Sequence, residues 1–219
     1  LWICNLRKDY SHNADIWNVR RDWHTLKYAM LKQLNDGSYV FSLLDRYVFD
    51  DATITLWSSL DMIALKLIIL KLSTLMGERL PKACYHLKGH GGIKKAVQNT
   101  HNAIPDYQYF MRSDVKSYYE SIDHYILMEI IETYISHPVL LKLLRSALNR
   151  TETRGGLFYT YDKRSLPMGS PLSPFLGAIA LLPLDQALTG HKDIFYARYM
   201  DDWIVLTKTK TALRKVIKN

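Results

Sequence analysis

The sequence predicts an α+β fold in which helices pack on an antiparallel sheet. Three observations carry that expectation. From residue 107 onward the pattern runs strand, helix, helix, hairpin, helix, strand, turn, strand, an order that builds an antiparallel sheet rather than a doubly wound parallel one. Residues 1–106 are largely helical by the spacing of their apolar positions. Apolar residues make up 48% of the 219 positions, which suits a packed core and argues against a disordered chain.

Taken in order, Ile16, Val19, Trp23, Leu26, Met30 and Leu34 recur at helical spacing, so a helix is expected over Asp15–Leu34. Asn35-Asp36-Gly37 then marks a turn. Strands are expected at Tyr39–Leu44 and Thr53–Trp57 across an acidic turn at Asp50-Asp51. A long helix over Ser59–Met76 should stop at Gly77 and Pro81. Residues 81–92 read as a basic, glycine-containing loop and Ile93–Thr100 as a helix. Tyr107–Val115 alternates as a strand. Asp123 is placed to cap a helix over His124–Ile135, and Pro138 to open another through Asn149. Gly155-Gly156 marks a hairpin with Leu157–Tyr161 as one arm. A loop over Leu166–Pro174 leads into one buried helix over Leu176–Leu188. Ile194–Tyr199 and Trp203–Thr207 read as strands flanking a tight acidic turn, and Thr211–Lys218 as a last helix. There is no internal repeat, low-complexity tract or linker.

Lys and Arg number 29 against 21 acidic residues, a net charge of +8 that favours a polyanionic partner. The two cysteines, Cys4 and Cys84, have neither zinc-site nor disulfide-framework spacing, so a reducing, cytoplasmic setting is expected. The start meets Arg7 and Lys8 too soon for a secretory signal. The most apolar stretch, Leu60–Leu75, is interrupted by Asp61, Lys66 and Lys71, so no membrane association is expected. A first residue of Leu rather than Met suggests a piece of a longer chain.

Chemistry concentrates in the acids. Tyr199-Met200-Asp201-Asp202-Trp203 sets two adjacent carboxylates between β-prone flanks. A tight turn lets both lie near one place, where their repulsion favours a bound cation; a solvated hairpin tip would use Asp as well. Asp114, at the end of another strand, adds a third acid. Three carboxylates at one end of a sheet would suit Mg²⁺, a hard ion that also binds substrate phosphates.

Asp114 with Tyr119, then Leu166-Pro167-Met168-Gly169-Ser170-Pro171-Leu172-Ser173-Pro174, then Tyr199-Met200-Asp201-Asp202, come in the order of motifs A, B and C of reverse transcriptases, and the chain resembles that family over about residues 107–207. Pro81–Val97 is loosely similar to the fingers region that precedes motif A in bacterial members of the group II intron and retron type. The resemblance implies a polymerase palm over residues 107–219 and a fingers-like region over 1–106. A thumb is expected to be absent from this chain.

It also implies an RNA-directed DNA polymerase that adds dNTPs to a primer 3′-OH by two-metal phosphoryl transfer, using two Mg²⁺ ions or Mn²⁺ in their place. An RNA template, a DNA or RNA primer, dNTPs and a structured cognate RNA are the expected partners. Asp114 and Asp201 would hold the metals, with the carbonyl of Val115 added and Asp202 as a further ligand or charge-tuning neighbour. Tyr119 would exclude a ribose 2′-OH, whereas RNA-dependent RNA polymerases usually carry an acid there.

Met168, Gly169 and Ser170 would line the template and nucleotide, with Ser173 a second hydroxyl donor. Met168 departs from the Gln usual in the family, which touches fidelity. Lys88, Lys82 and Arg46 are the candidates for triphosphate contact. Gly89-His90-Gly91-Gly92 offers backbone N–H groups to phosphate, without the Gly-Lys-Ser/Thr of a P-loop. His86, His90 and His101 lack partners at zinc spacing, and no metal role is assigned to them. Two rivals keep the fold: a template-independent or self-priming polymerase of abortive-infection type, and a catalytically silent RNA-binding domain.

Overall fold

A computed structural model describes residues 2–49, 52–161, 163–189, 191 and 193–218. The chain forms two compact units that interleave along the sequence. The first comprises Leu1–Leu75 and Asp123–Ser173, and the second Met76–Ile122 and Pro174–Asn219. The expected cut between residues 106 and 107 therefore does not coincide with a boundary between these units.

Described elements of the first unit begin with α1 (Trp2–Leu6) and α2 (Asp15–Asp36). Helix α2 ends where Gly37 takes φ +73° and donates its N–H to Gln33, a left-handed closure that glycine adopts without steric cost. Strands β1 (Leu44–Phe49) and β2 (Ala52–Leu56) precede α3 (Ser59–Met76), whose Ala64, Leu65, Ile68 and Leu72 are almost fully buried.

The strand expected over Tyr39–Leu44 starts only at Leu44. Its backbone is diverted by the buried Asp61, which accepts a hydrogen bond from the Tyr39 hydroxyl at 2.8 Å and one from the Ser42 N–H at 3.1 Å. A side-chain carboxylate thus takes a donor that a ladder would have used. The acidic turn at Asp50-Asp51 lies outside the described residues.

The same unit resumes with α6 (His124–Tyr134), α7 (Pro138–Leu148), β4 (Arg150–Arg154) and β5 (Leu157–Tyr161). The Asp123 carboxylate caps α6 by accepting from the N–H groups of Tyr125 and Ile126, as expected. The strands assemble in the order β2-β1-β4-β5, antiparallel except for a short parallel pairing of β1 with β4.

Within the second unit, α4 (Gly92–Ala103) leads to β3 (Tyr109–Ser113) and α5 (Tyr118–Ser121). After α8 (Ser173–Ala180), which starts at the junction of the units, come α9 (Leu182–Thr189), β6 (Ile194–Tyr199), β7 (Asp202–Thr207) and α10 (Lys210–Lys218). The single helix expected over Leu176–Leu188 is two. Pro183 lacks the N–H that would continue the ladder from α8, and the chain restarts as α9 at Leu182.

The second sheet is antiparallel throughout, in the order β3-β7-β6. Tyr196 and Val205 on one face pack with Leu188 of α9 and Val216 of α10. Ala197 on the other packs with Ala96 of α4 and Tyr85. Among the described residues no helix is long and apolar enough to cross a membrane.

Candidate active site

Register puts the three acids at one end of the second sheet. Ser113, the last residue of β3, pairs with Trp203 of β7, so Asp114 and Val115 emerge beside the start of β7. Tyr199 pairs with Asp202, which leaves Met200 and Asp201 as a two-residue turn between β6 and β7. Asp114, Val115, Asp201 and Asp202 therefore leave the same sheet edge.

Their surroundings differ. Asp202 shares a face with Ile204, and Arg112 pairs with Ile204 across the strands. Arg112 accordingly reaches Asp202, with Nη2 2.9 Å from Oδ1. The pairing raises the exposed guanidinium above its ordinary value through the Asp202 hydrogen bond, then through the charges of Asp202 and Asp114. No hydrogen bond or ion pair from a described residue satisfies Asp114 or Asp201. Among the described residues no three His, Cys, Asp or Glu side chains converge as a ready ligand cluster. The donors that fit a hard cation are thus two open carboxylates and a neighbouring backbone carbonyl, with the third acid turned to Arg112.

The tyrosine pair beside the acids is divided in its roles. Tyr118 is buried and donates its hydroxyl to the Gly177 carbonyl at 2.6 Å. Tyr119 stacks on it, with centroids 5.2 Å apart, but its own buried hydroxyl finds no partner among the described residues. Burial, and then the nearby Asp201 carboxylate, push Tyr119 up to about 12. Gly177 approaches the pair closely: a Cβ there would lie 3.0 Å from the Tyr118 hydroxyl and 3.2 Å from Tyr119 Cε1, so the rings would have to give by a few tenths of an ångström.

Two supports of the acidic turn carry no spacing signal in the sequence. Met200, at φ +57°, donates its N–H to His86 Nδ1 at 3.0 Å and accepts from Arg198 Nη1 at 2.8 Å. Arg198 and Asp185 form a fully buried ion pair, 2.5 Å apart, and Tyr196 donates its hydroxyl to the same carboxylate. Burial pulls the Arg198 guanidinium down, but the bonds and charge of Asp185 outweigh it and hold the group above its ordinary value. An Arg within the apolar run Phe195–Tyr199 and an Asp within Leu182–Leu188 were the available hints, since charges are rarely buried unless paired.

The remaining expected residues fall in both units. Met168, Gly169 and Ser170 belong to the first unit. Gly169 has φ +92°, and a Cβ would lie 3.0 Å from the Thr55 carbonyl, so the loop needs glycine there. Met168 is 41% exposed, and its carbonyl accepts from the Thr55 N–H. Ser170 is buried and its hydroxyl oxygen accepts from the Leu172 N–H. Ser173 is also buried and donates to the Pro167 carbonyl at 2.7 Å, so the donor expected for phosphate or sugar is committed within the loop.

Arg46, also of the first unit, lies 4.0 Å from buried Glu152 and over the ring of Tyr159. Lys82 and Lys88 belong to the second unit and are exposed. In the glycine run, the N–H groups of His90 and Gly92 bond to Leu87 and Tyr85, which removes two donors from the expected phosphate cradle.

Residues 53–219 match the family described as reverse transcriptase (RNA-dependent DNA polymerase). The chain belongs to the reverse transcriptase family. It is 24% identical over 174 residues to an uncharacterized 91 kDa protein in the cob intron of Schizosaccharomyces pombe, a match covering 76% of this chain and 21% of that protein. Two solved structures share the reverse transcriptase fold at low identity. A chain of a partial Cas6-RT-Cas1–Cas2 complex is 20% identical with a TM-score of 0.50, covering 93% of this chain and 39% of that one. Apo telomerase from Candida tropicalis, truncated from its C-terminal domain, is 16% identical with a TM-score of 0.52, covering 70% and 35%. The chain thus spans a minor part of each relative's length.

Proposed function

We propose that this chain carries the polymerase centre of an RNA-directed DNA polymerase, with Asp114 and Asp201 as its metal-binding carboxylates. One observation supports this reading above the rest: the strand register delivers Asp114 and the Asp201 turn to the same end of a three-stranded sheet, and no described residue pairs with either carboxylate. Unpaired like charges at one edge are costly unless a cation occupies the place between them. Mg²⁺ ions, or Mn²⁺ in their place, would there activate a primer 3′-OH and stabilise charge on the dNTP phosphates.

The chain's own residues orient the reactants. Asp114, the Val115 carbonyl and Asp201 supply oxygen donors. Asp202, tied to Arg112, tunes the local charge rather than offering an open ligand. Tyr119 lies against Tyr118 and within the electrostatic reach of Asp201; on this reading its ring excludes a ribose 2′-OH. Met168 and Gly169 present a loop for template and nucleotide, Ser170 holds that loop's shape, and Lys82, Lys88 and Arg46 are the triphosphate candidates. On this reading residues 1–106 are fingers-like and 107–219 the palm. The partners are an RNA template, a DNA or RNA primer, dNTPs and a structured RNA, met in the cytoplasm.

The test is extension of oligo(dT) on poly(rA) by the purified chain with Mg²⁺, using dTTP and UTP side by side. Template-dependent incorporation of dTTP is expected, and Tyr119→Ala should raise UTP use at least about tenfold, since a steric clash worth about 1.4 kcal/mol is one decade in rate. Incorporation without poly(rA) would favour the template-independent rival. Unchanged sugar selectivity in the variant would remove the gate role.

A further inference from the structure

We propose that His86 is a positioning residue that holds the Met200 peptide of the acidic turn and thereby aims Asp201. Its functional consequence rests on the polymerase reading, whereas the clamp itself does not.

The ring's two nitrogens have different partners, and those partners select one protonation state. His86 Nδ1 lies 3.0 Å from the Met200 nitrogen, and a backbone N–H only donates, so Nδ1 must be the bare acceptor. His86 Nε2 lies 3.1 Å from the Pro174 carbonyl, which only accepts, so Nε2 carries the proton. The neutral Nε2–H tautomer satisfies both contacts at once, and an imidazolium would set N–H against N–H at Met200. Burial favours the same neutral form.

The segment carrying His86 is itself fastened to β6. Tyr85 donates its N–H to the Arg198 carbonyl, and the Arg198 N–H donates to Ala83, both at 2.8 Å. Arg198 then reaches forward to the Met200 carbonyl at 2.8 Å. One peptide unit is thus gripped at its N–H by His86, while the same residue's carbonyl is gripped by Arg198.

Met200 needs that grip. It has φ +57°, a left-handed conformation that a non-glycine residue adopts at a cost and keeps only when its surroundings over-determine it. The next residue is Asp201, so any drift of the Met200 peptide swings the Asp201 carboxylate away from the sheet edge it shares with Asp114. Outer partners that orient ligands typically matter by about 10–100-fold in affinity or activity.

The experiment compares His86→Leu and His86→Asn with the wild-type chain by two readouts. ¹⁵N NMR of the wild-type protein should show an unprotonated Nδ1 and a Met200 amide protected from exchange. His86→Leu should lose that protection and lower kcat for primer extension by about 10–100-fold, with a raised Mg²⁺ requirement and a KM for dTTP changed less than about twofold. His86→Asn, whose side-chain oxygen sits where Nδ1 does, should recover both the amide protection and most of kcat.

Retention of full kcat and Mg²⁺ dependence by a folded His86→Leu would overturn the proposal. So would a wild-type Nδ1 that carries the proton, a readout that stands even where the Leu variant does not fold. If no form extends primers, the polymerase reading fails, and the Met200 amide still decides the clamp.

Discussion

Two hairpins in this molecule are built alike and secured by opposite means. Between β4 and β5 the turn is Gly155-Gly156, with Arg154 paired to Leu157 and φ values of +56° and +80°. Between β6 and β7 the turn is Met200-Asp201, with Tyr199 paired to Asp202 and Met200 at +57°. The first uses the residue that tolerates positive φ and leaves open space around it. The second places a bulky residue in the same backbone region and anchors it with His86, Arg198 and, behind them, Asp185. A turn that only reverses the chain can rely on glycine. The turn that, on the proposed reading, aims a carboxylate is held by a buried network, which is where backbone strain tends to collect.

The largest effect should separate the two adjacent acids of the second turn. Asp201→Asn is expected to reduce primer extension about a thousandfold, the loss of several kcal/mol of charge stabilisation, with the circular dichroism spectrum unchanged. Asp202→Asn, which releases Arg112 and removes one neighbouring charge, is expected to cost less than about tenfold. Equal losses would erase the distinction between ligand and neighbour.

Next comes the network behind the turn. Asp185→Ala strands the buried Arg198 charge and should destabilise the protein by about 3–5 kcal/mol in urea unfolding. A loss under about 1 kcal/mol would mean that Arg198 finds water or another partner.

Smaller still is the glycine hairpin. Gly155→Ala forces a side chain to φ +56° and should cost about 1 kcal/mol, roughly 2–4 °C in Tm, without change in extension rate. Met200→Gly should be nearly neutral in stability, because relief of positive φ is offset by a freer unfolded chain.

The smallest effect is a pH dependence. Burial holds the His86 imidazole below its ordinary value, with the Pro174 carbonyl, Arg198, Asp185 and His90 as further influences and the Cys84 thiol 3.5 Å from its Nδ1. The unfolded chain therefore takes up that proton first. Stability from neutral His86 is complete above the ordinary imidazole value and falls as pH drops from there toward the lower folded value. Thermal melts of wild-type and His86→Asn proteins from pH 7 to 5 should show the wild type losing more.

Much of this was legible in the residues. The helix over Ser59–Met76 was expected at its observed bounds because an apolar run meets Gly77 and Pro81. The Asp123 cap and the Gly-Gly hairpin followed from local chemistry alone. The adjacent carboxylates stood out only once Asp114 added a third acid at a strand end, and Tyr119 came from the resemblance to the reverse transcriptase motifs rather than from any local pattern. What escaped was non-local. Asp61 diverting Tyr39 and Ser42, the parallel pairing of β1 with β4, and the grip of His86 on Met200 join residues 19 to 114 positions apart, which no periodicity encodes. Pro183 was visible, yet the apolar run around it outweighed the missing N–H in the reading of one continuous helix.

The most direct test of the central claim is Mn²⁺ binding followed by electron paramagnetic resonance, with oligo(dT)·poly(rA) and a non-hydrolysable dTTP analogue present. Wild-type protein should bind Mn²⁺ tightly, and Asp114→Asn and Asp201→Asn should each weaken it at least about tenfold while Asp202→Asn weakens it less. Binding unchanged in both of the first two variants would contradict the assignment of that sheet edge as the metal site.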